Sequence, residues 1–242
     1  MPPTSRRLTI HFRYDLSLRM SKENKRIFSA ATIAIVVLAF AGFLQLCVFS
    51  PWITARLCPS CYGFRKINSL YYADKRMDIA AVAATQDVIV QAKAEVGQYF
   101  PDMPPTLILV CETESCFRSI SNTAAAKAVF FHLGVLVVSP RGINADILDY
   151  ELTTAALVSA LGETNFRKLP TQFISALAKS ISDRSLAVSQ ASSCRNQKGR
   201  GPDGDAKCLS WLWLAQNLTP SRLASLIAEL QHGRPFDDAL KE

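Results

Sequence analysis

Glu151 is the residue in this chain whose setting most suggests chemistry. It stands in the apolar stripe of a helix, four residues after Ile147 and four before Ala155. A carboxylate on an apolar helix face has to be neutral, paired or at work. The helix that carries it is marked at both ends. Asn144 is a good N-cap, Asp146 and Asp149 suit the positive end of the helix dipole, and Gly162 is a natural stop. Ile147, Ala155 and Val158 recur at helical spacing, and Leu148, Leu152 and Ala156 widen the stripe.

The elements around that helix read as mixed α and β. Residues 70–100 read as a long helix, with Ile79, Val82, Val90 and Val96 on a partial apolar face and Gly97 and Pro101 bounding its end. Thr106 to Cys111 reads as a buried strand. Val129 to His132 and Val135 to Val138 flank Gly134 like a strand pair or one bulged strand. Pro140-Arg141-Gly142 turns the chain into the Glu151 helix. Pro170 then opens a helix from Thr171 to about Asp183, with Phe173, Ala176, Leu177 and Ile181 on its apolar side. Leu209 to Leu218 reads as an apolar helix. Thr219-Pro220 caps a last one, whose Leu223, Leu226, Ile227 and Leu230 face the core and which Gly233 ends. The fold class expected is therefore α+β.

Composition bears on address more than on activity. The 242 residues are 49% hydrophobic, and the mean hydropathy is +0.14. Residues 1–26 hold seven Lys/Arg against two acids, so most of the net charge of +7 lies in this tail. The rest carries little excess charge, which excludes a nucleic-acid surface built on a basic folded face. Residues 27–49 contain no charged side chain. As a helix this run would be roughly 34 Å long, enough to span a bilayer core. The cations before it place the N-terminus in the cytosol and the remainder outside, as an uncleaved signal anchor. A cleaved signal peptide fits less well, because its apolar region would be shorter. The organisation expected is a basic cytosolic tail (1–26), a single transmembrane span (27–49), a juxtamembrane segment with Cys-x-x-Cys (50–69) and an extracytosolic domain (70–242), periplasmic in a Gram-negative bacterium.

Cys47 falls within that span. The other six cysteines, Cys58, Cys61, Cys111, Cys116, Cys194 and Cys208, lie beyond it, where an oxidising compartment favours disulfides. Six cysteines allow 15 connectivities. Local pairing is expected: Cys58 with Cys61, Cys111 with Cys116, and Cys194 with Cys208, the last closing a polar loop. Cys58-Pro-Ser-Cys61 also has the spacing of a redox pair, but lacks the strand–helix context of a thioredoxin unit.

The order helix, strands, Pro-Arg-Gly turn, Glu-bearing helix, Leu-Pro and second helix resembles the minimal gluzincin zinc peptidases over roughly residues 70–240. In that family the first helix carries His-Glu-x-x-His, and a following helix supplies a glutamate ligand. Here the first motif stands as Tyr150-Glu151-Leu152-Thr153-Thr154, closing at Leu161-Gly162. The second stands as Pro170-Thr171-Gln172-Phe173-Ile174-Ser175-Ala176-Leu177-Ala178. The resemblance implies a zincin-like fold in which Glu151 is the surviving general base. Tyr150 and Thr154 then occupy the histidine positions, and Ser175 the glutamate position. Residues at i and i+4 share a helix face and can grip one metal. A catalytic zinc takes three protein ligands, and neutral hydroxyls are poor ones. His132 and His232, the histidines outside the tail, do not neighbour the helix in sequence.

No metal or other cofactor is therefore expected. Zinc lowers the pKa of its water from about 15.7 to about 7, and losing that activation is worth on the order of 12 kcal/mol as an upper bound. General-base catalysis alone gives about 10² to 10⁴-fold. The expected function is a membrane-anchored, extracytosolic pseudopeptidase with a protein or peptide partner. In it Glu151 would be held by hydrogen bonds to Tyr150, Thr154 or Ser175. The alternatives are a metal-free or atypical hydrolase using Glu151, and a thiol-redox or assembly protein acting through Cys58 and Cys61.

Overall fold

The computed structural model describes residues 32–38, 41–42, 45, 50–123, 125–131, 133–195 and 202–240. The chain divides into two compact units, Met1–Gln45 and Leu46–Glu242. In the first, the described residues are helical and exposed. The basic tail and most of the 27–49 run lie outside the described residues. Among the described residues no helix is long and apolar enough to cross a membrane.

The second unit is an α+β fold built on one five-stranded sheet. It comprises α1 (Pro51–Leu57), β1 (Phe64–Lys66), β2 (Tyr71–Asp74), α2 (Ile79–Tyr99), β3 (Leu107–Val110), α3 (Glu114–Ser121), β4 (Ala128–Phe131), β5 (Val135–Val138), α4 (Ala145–Phe166), α5 (Thr171–Ser182), α6 (Arg184–Arg195), α7 (Pro202–Asn217), α8 (Pro220–Gln231) and α9 (Phe236–Ala239). The strand order is β1-β2-β3-β5-β4. The three inner strands are parallel, and the edge strands β1 and β4 run antiparallel to their neighbours.

Strands buried on both faces read as continuous apolar runs, and Leu-Ile-Leu-Val and Val-Leu-Val-Val are such runs. Their side chains alternate between two cores. Ile108, Val110, Leu136 and Val138 pack with the larger helices. Leu109, Val135 and Val137 pack with Phe64, Phe117 and Ile120 on the other side. Fully burying a side chain of this size stabilises by about 1.5–3 kcal/mol.

Several elements depart from the sequence reading. Segment 50–69 belongs to the folded unit: β1 pairs with β2, and Ala55 and Phe64 are buried. The helix expected over residues 70–100 is split. Tyr71–Asp74 pairs with β3 as a strand, and the helix starts only after Asp78, whose carboxylate accepts from the Ala81 amide. Its core face is Val82, Thr85, Ile89, Ala92 and Val96, while Ile79 and Val90 are exposed. The Cys194–Cys208 segment, read as a loop, contributes helix to both α6 and α7. Ser-rich α6 has too thin an apolar stripe to announce itself.

The expected entry to α4 is as read. The Asn144 side chain accepts from the Asp146 amide. Gly142 permits the close approach that starts the helix, since a Cβ there would lie 2.1 Å from the Lys127 carbonyl oxygen. Gly162 takes φ +70°, and the chain resumes one further helical turn to Phe166. The cysteines pair locally as expected, with Cα–Cα distances of 5.4 Å for Cys58–Cys61, 5.6 Å for Cys111–Cys116 and 5.4 Å for Cys194–Cys208.

Candidate functional site

Helix α4 lies against the larger core through Leu148, Leu152, Ala156 and Leu157. That packing fixes the direction of every other side chain on it. Glu151 turns toward β4, where its Oε2 accepts the Phe130 amide hydrogen at 3.1 Å. The Lys127 carbonyl accepts from Ser139, toward β5. Backbone groups alternate along an antiparallel strand, so those of Ala128 and Phe130 point out from the sheet edge. Glu151 therefore caps an outward donor of an edge strand. Burial pushes its carboxyl up to about 7, against the opposing pull of the Phe130 bond. The expected hydrogen bonds from Tyr150, Thr154 or Ser175 are replaced by this main-chain donor. Among the described residues the buried Thr154 hydroxyl has no partner.

Tyr150 and Ser175 do share a space. Both line a cavity of about 670 Å³ bounded by α4, α5, α6 and α7. Gln172, Lys179, Gln190 and Trp211 complete its polar wall. Burial raises the Tyr150 phenol, and the nearby Glu151 charge adds to the rise. The structure thus brings two of the three proposed ligand positions into one space. Thr154 stands one turn further along the same face of α4, and Glu151 is directed to the sheet edge. Helix α5 enters from Pro170 without a side-chain cap. Thr171, Ser175 and Lys179 then recur every four residues along one face. That stripe could have been found in the sequence; Gln190 and Trp211 could not, because they arrive from other helices.

Asp149 was expected only to complement the helix dipole. It is instead fully buried. Ser182 Oγ donates to its Oδ2. Burial pushes the carboxyl up to about 6. The Ser182 bond opposes that shift, and the facing Glu95 carboxyl on α2 reinforces it. A polar residue in the first helical turn looks the same in sequence whether it faces water or a neighbouring helix.

Tyr150, Thr154 and Ser175 do not fit a zinc ion: their donor set is three neutral hydroxyls, and one of them is sealed from solvent. Among the described residues no three His, Cys, Asp or Glu are grouped to hold a metal. His232 lies at the end of α8, its Nδ1 2.6 Å from the Ala228 carbonyl. His132 is outside the described residues. Cys58 and Cys61 sit at the C-terminal end of α1 and contribute nothing to the cavity. No family model, curated protein or solved structure matches this chain.

Proposed function

We propose that the chain is a membrane-anchored, extracytosolic pseudopeptidase: a gluzincin-like shell that binds a polypeptide partner without cleaving it. The observation that carries this reading is how the residues aligned with the motif are divided. Hydroxyl residues Tyr150 and Ser175 share the cavity, while Glu151 is engaged by the Phe130 amide at the sheet edge. A general base must reach the proton it removes, and here the carboxylate is directed away from the space where a ligand fits. The gluzincin reading is supported by the arrangement of α2, a mixed sheet with an antiparallel edge, α4 against that edge, and α5 beside α4. The uncharged run 27–49 behind a basic tail supports the anchor, and three local cysteine pairs suit an oxidising compartment.

A metal-free hydrolase is the second reading, favoured by one observation: Glu151 is a carboxylate held by the Phe130 amide in a buried setting, and burial pushes it up to about 7. The two are separated by incubating the detergent-solubilised full-length chain with an unfolded protein, as wild type and as Glu151→Gln. The pseudopeptidase reading expects no cleavage from either and no zinc bound to the wild type. Cleavage that disappears on Glu151→Gln would overturn it.

A further inference from the structure

The cavity between α4, α5, α6 and α7 has a wall of one sign. Among the described residues Lys179 is its single charged lining residue, and no Asp or Glu lines it. Lys179 is exposed and has no carboxylate partner among the described residues. The neutral groups around it, Tyr150, Gln172, Ser175 and Gln190, can all donate hydrogen bonds. Trp211 is only 5% exposed, and its indole N–H, a group that can only donate, is buried without a partner among the described residues. The wall therefore favours an acceptor-rich anion.

The charge of that anion is limited. One ammonium among neutral donors balances a monoanion, whereas a phosphate group favours the forked guanidinium of arginine, and among the described residues no arginine lines the cavity. A volume of about 670 Å³ is also in the range of sites that enclose an organic ligand. Leu186 and the Trp211 ring supply apolar surface in the same wall. This space is bounded by α4, α5, α6 and α7, which offer an extended segment no strand edge to pair with.

We propose that this cavity holds the free carboxy-terminal end of a polypeptide, with the terminal carboxylate at Lys179 and the last side chain against Trp211 and Leu186. This rests on the polypeptide-binding reading above and specifies which part of the partner is held. The affinity for an end of this kind depends on a charge-assisted hydrogen bond.

The test is fluorescence anisotropy of a labelled random-sequence short-peptide pool, prepared once as free acids and once as carboxy-terminal amides, with the full-length chain in detergent. The free-acid pool is expected to bind at least about tenfold tighter than the amide pool, the size expected for one hydrogen bond to a charged group. Lys179→Gln, on an exposed side chain that leaves the fold intact, is expected to remove that difference between the two pools. Equal binding of the two pools, unaffected by Lys179→Gln, would overturn the carboxylate assignment while leaving polypeptide binding in place. Binding of neither pool would overturn both.

Discussion

Glu151→Gln stabilises the chain by about 3 kcal/mol more at pH 8 than at pH 4, a difference set by the displaced titration of this one carboxyl. Burial pushes Glu151 from an ordinary 4.5 up to about 7 in the folded chain. The folded state therefore holds a proton that the unfolded chain has already released. Stability from this group is fully present below pH 4.5 and is lost as pH rises toward 7, after which the loss is constant. Glutamine is neutral throughout, and its amide oxygen can still accept the Phe130 hydrogen. Urea unfolding at the two pH values, followed through buried Trp211 and Trp213, measures the difference. Asp149, raised from 3.8 to about 6, remains in the variant, so a residual fall in stability is expected between those two values. A catalytic base held charged by a metal would behave in the opposite way, and its replacement would not become more stabilising as pH rises.

Breaking the Cys194–Cys208 bridge destabilises the chain by about 3 kcal/mol, the loop-closure entropy of a segment this long. The bridge spans a sequence separation of 14 and ties α6 to α7. Those helices carry Gln190, Leu186 and Trp211 into the cavity. The double substitution Cys194→Ser and Cys208→Ser is thus expected to lower the urea midpoint and, under conditions where the chain stays folded, to weaken peptide binding. Replacing Cys58 and Cys61, which close a loop of separation 3 away from the cavity, is expected to leave peptide binding unchanged. The contrast distinguishes a structural clasp on the binding wall from a general effect of cysteine loss.

The features legible in the sequence are those set by local rules. Helix α4 is framed by an N-cap and a positive-φ glycine, and β3 and β5 are unbroken apolar runs. The three cysteine pairs are close in sequence as well as in space. Other features depend on what lies opposite. Tyr71 to Asp74 follows the preceding loop into a strand because β3 is there to receive it, although its residues could have lengthened the helix. Asp149 occupies a position that favours an acid on dipole grounds, and only the approach of α5 with Ser182 makes it a buried one. The partner of Glu151 is a main-chain amide, which no residue letter encodes. The motif alignment brings Tyr150 and Ser175 together. It does not reveal that the carboxylate between the motif positions faces the sheet edge.

The central claim is that Tyr150, Thr154 and Ser175 stand where a zinc site has been lost. Zinc titration of the full-length wild type beside a Tyr150→His/Thr154→His/Ser175→Glu variant tests it most directly. Two histidines at i and i+4 with a carboxylate from the adjacent helix make a three-ligand set for zinc. The account predicts one zinc per folded chain for the variant and none for the wild type. Stoichiometric zinc on the wild type, or a folded variant that binds no more zinc than the wild type, would contradict it.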